Sequence, residues 1–337
     1  MTKSNVQALI KEMISRSFNH HKPGQAPSIG LFASRRSGTT IVSEILACSK
    51  GLKQVDQPLS HYSAQLPLAQ YLPVYPGSYI YDPTPAEIER IVAYLEAIRA
   101  GDLRINEQWR VWKPDFQRRT DRVVFKFTAG HALITLLPRV MQMAPIAFFR
   151  HPGPQSLSCL TRKWPPRDGA FFRQIAFLRQ YFNETQIDYI ARAEAHGSEF
   201  KRLLIAWTIE NQPTLRAARD RAVPFFTHEW LTQSPREAVE FIAANVGVGV
   251  TPAMIAQAGR PSRTSAPVRT GSQVGKYLKS SDAQAFSRGW MDKLGVEQRA
   301  DLEEVLETLP NWLYAPNRVA PAQAFGSAAA QVEAAFA

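Results

Sequence analysis

The sequence predicts an α/β protein: a parallel β-sheet with helices on both faces. Three observations lead there. Short apolar bursts, SIGLFA at residues 28–33, VVFKF at 123–127, PIAFF at 145–149 and PFFT at 224–227, are separated by longer stretches whose apolar residues recur at helical spacing. The bursts are mostly apolar rather than alternating, the pattern of strands covered on both faces. The first burst is followed by a short polar turn, SRRSG, and then by a helical segment, a strand–loop–helix unit.

Each element has its own reason. Val6, Leu9, Ile10, Met13, Ile14 and Phe18 are spaced as on a surface helix, within an N-terminal segment, 1–27, that has no apolar run of signal-peptide length. Residues 28–33 form the first strand and 39–49 the helix after the turn. A helix over 84–100 begins with Pro85, repeats Ile88, Ile91, Val92, Leu95 and Ile98, and stops at Gly101. The strands at 123–127 and 145–149 bracket a helix at 131–142. Helices follow at 155–163, 171–183, 198–221 and 235–246, with a strand at 224–227. Residues 259–275 (GRPSRTSAPVRTGSQVG) read as a long basic loop, and loops of that length are often functional. A helical pair at 281–294 and 297–309 precedes an Ala-rich tail from Ala320, which should add little to the core. With no internal repeat, 28–315 reads as a single elaborated domain between the N-terminal helix and the tail, 316–337.

Composition narrows the function. Of 337 residues 45% are hydrophobic and 20% charged, which excludes a disordered or collagen-like chain. Cys48 and Cys159 are too few for a disulfide framework, and zinc or redox spacings are absent, so a reducing cytoplasm fits and no metal is expected. The longest apolar run, 143–149, is far short of a membrane span. A net charge of +11 points to an anionic partner without choosing among a small ligand, nucleic acid and a membrane surface.

The segment from Ala33 to Ile41 (ASRRSGTTI) lies where a phosphate-binding loop belongs, between a buried strand and a helix N-terminus whose amides face any bound anion. It is not a Walker A loop: Ala33 stands where glycine is required and Thr39 where lysine is. RRSGTT resembles instead the 5′-phosphosulfate loop of sulfotransferases that use 3′-phosphoadenosine 5′-phosphosulfate (PAPS). The alternative for this segment alone is a Ser/Thr-capped helix start with solvated arginines. A second motif joins it: Arg150 ends the PIAFF strand and Ser158 follows eight positions later, similar to the arginine and serine that clasp the donor's 3′-phosphate in that family. A guanidinium at a strand end and a serine two turns into the next helix can converge on one anion. Lys126 precedes Arg150 by 24 residues, similar to the spacing from the family's Lys-x-His strand. FFTHEWLTQSP (225–235) resembles the family's YEDL…DP stretch, and Arg269, Thr270 and Gly271, followed by Gly275 and Lys276, resemble its R-K-G-x-x-G loop. The resemblance spans about residues 28–290 and implies a P-loop sulfotransferase-like fold with helical insertions.

It also implies site residues. Arg35, Arg36, Ser37, Gly38, Thr39 and Thr40 would hold the 5′-phosphate, Arg36 supplying charge where it develops on the leaving oxygen. Arg150, Ser158, Arg269, Thr270 and Gly271 would hold the 3′-phosphate, and His228 stands near the adenine-contacting tyrosine. The family's Lys-x-His triplet reads Lys126, Phe127, Thr128 here, so its catalytic histidine is a threonine, a poor base. Glu44, one turn beyond Thr40 on the same helix face, is the expected base, similar to glutamates of the trehalose and heparan 3-O-sulfotransferase branches; the alternative is a solvated glutamate. His61 and His131 are the reserves, although a lone histidine is more often structural. Asp56, in VDQP, resembles an acceptor-side stretch and is explained equally by a turn. Residues 62–81, rich in Tyr and Pro, either line an acceptor pocket or pack over the sheet.

The leading expectation is therefore an enzyme moving a sulfuryl group from PAPS, leaving PAP, to a hydroxyl of a small molecule, lipid or sugar, with no metal. It should be cytoplasmic and bind neither nucleic acid nor membrane, and a homo-oligomer is compatible with the sequence. The competing readings are a small-metabolite P-loop kinase, opposed by the missing loop lysine, a donor-binding scaffold without turnover, and a nucleic-acid-binding protein, opposed by basic residues that are scattered rather than clustered.

Overall fold

The computed structural model describes residues 3–61, 71–75, 79–112, 116–260, 262, 289–316, 318 and 320–328. After α1 (Lys3–Phe18) come β1 (His20–His21), β2 (Ser28–Phe32), α2 (Thr39–Ala47), β3 (Gly51–Asp56), α3 (Pro85–Ala100), β4 (Arg119–Phe127), α4 (Leu137–Val140) and β5 (Met143–Phe149). Then follow α5 (Pro152–Thr161), α6 (Gly169–Phe172), α7 (Ile175–Leu178), α8 (Glu184–His196), α9 (Glu199–Arg219), β6 (Phe225–Thr227) and α10 (His228–Gln233). The chain continues through α11 (Pro235–Val246), α12 (Pro252–Ala258), α13 (Val296–Thr308) and β7 (Phe325–Gly326).

The sheet runs β1-β4-β2-β5-β6-β7, with β3 also on β4; every pairing is parallel except β6 with β7. The α/β class with helices on both faces is as the sequence predicts. One face carries Ile29, Leu31, Val124, Ile146, Phe148 and Phe226 against α2, α11 and α12. The other carries Phe32, Val55, Phe125, Phe127, Phe149 and Phe225 against α3 and the end of α9. A satellite core under α6 to α9 and α13 includes Tyr79, Tyr81, Phe171 and Ile209.

The differences from expectation have local causes. The single helix expected over 131–142 is a 3-10 turn (His131–Leu133) and the short α4, because Pro138, the second residue of α4, has no amide to continue a helical ladder from the preceding turn. The helix expected over 171–183 is the pair α6 and α7, and the long helix lies one step later at α8, started by an Asn183–Gln186 capping box. β3 escaped notice because its Lys53 reads as a surface residue; its amine is buried, 3.0 Å from Glu107 and 3.0 Å from the Ile98 carbonyl. The segment expected to be a tail of little weight supplies β7, and Phe325 stacks on Trp230 at 4.2 Å. Most of the helix expected at 281–294 lies outside the described residues.

Candidate functional site

The register aligns one edge of the sheet. Phe32 pairs with Phe127 and Ala147, Asp56 with Lys126, and Phe149 with Thr227, so the residues that follow these ends share one side of the molecule. β2 lies between β4 and β5, and its connection through α2 leads across β4 to β3 while β5 sits opposite. The loop after β2 therefore occupies a topological switch point, where open α/β sheets bind ligands.

That loop is held by its own backbone and by α9. The Ser37 amide donates to the Ser34 carbonyl at 3.3 Å, and the Ser34 hydroxyl accepts from Asn211 Nδ2 at 2.5 Å, both side chains being buried. Arg36 takes a left-handed φ of 64°, uncommon for a residue with a side chain, and Gly38 one of 99°. Gly38 has no room for more: a Cβ there would lie 2.7 Å from the His228 ring. The turn delivers the chain into α2, whose first amides have no intrahelical acceptor. Ser37 is 1% exposed and its hydroxyl has no partner among the described residues, so a buried polar atom sits in the turn before α2.

The second motif closes on the same loop. α5 starts at His151, whose Nδ1 accepts from the Gly153 amide at 3.1 Å, with Pro152 at the first helical position. Two turns on, the Ser158 hydroxyl accepts from Arg36 Nε at 3.1 Å. Arg150 Nη1 donates to the Arg36 carbonyl at 2.9 Å. Arg35 instead reaches outward to the Pro165 carbonyl at 2.8 Å, while its own carbonyl accepts from Gln155 at 2.6 Å. Among the described residues neither Arg36 nor Arg150 has a carboxylate within ion-pairing distance. Burial lowers the pKa of both guanidinium groups, so two desolvated cations face one cradle.

The other predicted residues are placed as follows. Lys126 is buried and pairs with Asp56 at 2.6 Å, joining the ends of β4 and β3, and the Thr128 hydroxyl donates to Gln57 Oε1 at 2.9 Å. Glu44 is half-buried on α2, and its Oε2 accepts from Gln257 of α12 at 3.0 Å. His61 lies 3.1 Å from the Pro73 carbonyl in its own loop. His131 is fully buried, stacked on Tyr79, and burial pushes its pKa down to about 4, so it is neutral near pH 7. His228 packs against Gly38, its pKa pushed down to about 3 by burial and by Arg150. Arg269, Thr270 and Gly271 lie outside the described residues.

Several residues were not singled out from the sequence. Trp164 lies 5.5 Å from the Arg36 guanidinium. A buried ion pair, Arg167 with Glu210 at 2.6 Å, stands behind the loop among Tyr79 and Phe171. Glu229 is buried beside Arg150, and burial raises its pKa. None of these carries a sequence signal, because their partners come from distant segments. Among the described residues no three His, Cys, Asp or Glu side chains are grouped to hold a metal ion, and no helix is long and apolar enough to cross a membrane.

No family model matches the chain, and no curated protein matches it. Three solved structures are similar to it at low identity. The mouse sulfotransferase complexed with PAP has a TM-score of 0.39 and 14% identity, over 88% of each chain. The sulfotransferase domain of the Synechococcus PCC 7002 olefin synthase has a TM-score of 0.41 and 14% identity, over 86% of this chain and 95% of that one. The sulfotransferase domain from the curacin biosynthetic pathway has a TM-score of 0.39 and 15% identity, over 86% of this chain and 100% of that one.

Proposed function

We propose that the chain moves a sulfuryl group from PAPS to a hydroxyl of a small-molecule, lipid or sugar acceptor. The observation that carries this reading is the convergence of Arg150 and Ser158 on the Arg36 turn, which gathers two guanidinium groups and a serine at one helix N-terminus. One anion needs only part of that charge, and a donor with phosphates at both the 5′ and the 3′ positions uses all of it. The 5′-phosphate belongs with the amides of residues 37–40 and the Ser37 hydroxyl, the 3′-phosphate with Arg150 and Ser158.

PAPS supplies the sulfuryl group. As the acceptor oxygen bonds to sulfur and the sulfur–oxygen bond to the 5′-phosphate breaks, the electron pair remains on the phosphate, and Arg36 is the cation placed to offset it. The acceptor's proton passes to a carboxylate. Helix spacing assigns that role to Glu44, one turn from Thr40. A second reading gives it to Asp56, favoured by its position: its side chain is 47% exposed at the end of β3, on the loop's edge of the sheet, although it pairs with Lys126 at 2.6 Å as Glu44 is held by Gln257. The test is incubation of the purified protein with PAPS and a panel of hydroxylated metabolites, read by mass spectrometry. An acceptor gaining one SO3 group while PAP accumulates supports the reading; consumption of ATP with phosphate transfer would replace it with the kinase reading.

A further inference from the structure

Three separate parts of the chain meet on one buried carboxylate. Glu229, the second residue of α10, is 6% exposed. Its Oε1 accepts from the His151 backbone amide at 3.0 Å, and its Oε2 accepts from the Tyr314 hydroxyl at 3.0 Å. The amide of His151 belongs to the peptide that leaves Arg150, so fixing it fixes the direction in which the Arg150 side chain departs from the end of β5. The turn is stiffened from outside as well. The His151 ring lies 4.8 Å from Trp290 and 4.9 Å from Tyr314, and Trp290 fills the space above Gly153, where a Cβ would meet the indole at 2.5 Å. Arg150 then has its guanidinium donating to the Arg36 carbonyl at 2.9 Å, within the loop.

We propose that Glu229 is a positioning residue for Arg150, and that through it the C-terminal segment bearing Tyr314 sets how strongly the site prefers a nucleotide with a 3′-phosphate. The proposal rests on the sulfuryl-transfer reading, in which Arg150 holds that phosphate. Glu229 acts on Arg150 by its nearby charge and through the backbone: its two oxygens are occupied by His151 and Tyr314, and it has no hydrogen bond to the loop among the described residues. A carboxylate suits the position because both neighbours are donors. An amide offers one acceptor oxygen and an NH2 donor, so Glu229→Gln confronts one of the two donors with another donor at nearly unchanged volume. The cost falls on the peptide after Arg150, and from there on one phosphate.

The experiment is isothermal titration of the whole chain with PAP and with 5′-AMP, for the unmodified protein, Glu229→Gln and Tyr314→Phe, with a urea denaturation midpoint for each. The unmodified protein should prefer PAP. Glu229→Gln should lose about tenfold of that preference, the scale expected for a buried hydrogen bond to a charged group, with 5′-AMP affinity nearly unchanged. Tyr314→Phe removes one of the two hydrogen bonds and leaves the carboxylate, so it should lose about threefold. If Glu229→Gln does not fold, Tyr314→Phe decides. A PAP preference kept intact in the folded variants, or an equal fall for both nucleotides, overturns the positioning role. An unmodified protein that does not distinguish the two nucleotides refutes instead the reading on which the proposal rests.

Discussion

Gly38→Ala should destabilise the protein by about 2–4 kcal/mol, from two separable causes. A φ of 99° lies in the left-handed region, where an alanine costs about 1 kcal/mol more than glycine. The new methyl would also lie 2.7 Å from His228 Cδ2 and 3.5 Å from Phe148 Cε1. His228 opens α10, and its ring is wedged between the loop and Phe148, so it yields only by moving off the loop; overpacking of this kind costs about 1–3 kcal/mol. Urea denaturation of Gly38→Ala, His228→Ala and the double variant separates the two. Removing the ring should relieve the crowding but not the backbone cost, giving a coupling energy of about 1–3 kcal/mol between the positions. A single variant within about 0.5 kcal/mol of the unmodified protein, or the same Gly38→Ala penalty with and without the ring, would refute the packing argument.

Further outcomes follow from the site and its surroundings. Glu44→Gln should lower kcat by about 10²–10⁴-fold with PAP affinity retained; a near-normal rate, together with such a fall in Asp56→Asn, moves proton acceptance to Asp56. EDTA should leave sulfuryl transfer nearly intact, because Arg36 supplies the charge at the leaving oxygen, and complete loss restored by magnesium would contradict that role. Stability should fall as the solution is acidified below about pH 6.5, because burial holds His131 at about 4 and His151 at about 3 while the unfolded chain takes up protons near the ordinary value. These two histidines give a slope of about 2–3 kcal/mol per pH unit through pH 5, and His228, held at about 3, adds to it in the same direction. Glu229, whose pKa burial raises, opposes this above its ordinary value of 4.5. Denaturation midpoints independent of pH from 7 to 5 would show that the histidines are not buried neutral.

The parts legible in the sequence are those with local causes. The loop after β2 could be read because its glycine, its serines and the following helix are contiguous, and the approach of Arg150 and Ser158 to that loop because a strand end and two helical turns place them near it. β3 was obscure because Lys53 is made tolerable inside by Glu107 and the Ile98 carbonyl, both more than forty residues away. The start of α8 could have been read from the Asn183–Gln186 box, which competed with the apolar run of 171–178. The engagement of Glu44 by Gln257, and the role of Glu229 between His151 and Tyr314, depend on residues that only the fold brings near.

The central claim is that the cradle between β2 and β5 recognises a nucleotide bearing both 5′- and 3′-phosphates. Titration of the unmodified protein and of Arg150→Ala with PAP and with 5′-AMP tests it most directly. PAP should bind the unmodified protein about ten- to a hundredfold more tightly than 5′-AMP, the equivalent of the roughly 1.5–3 kcal/mol of a charge-assisted hydrogen bond. Arg150→Ala should erase that difference and leave 5′-AMP binding largely unchanged, since residues 37–40 still hold the 5′-phosphate. Equal affinities of the unmodified protein for the two nucleotides would contradict the assignment of Arg150 and Ser158, and with it the reading of the site as a sulfuryl donor site.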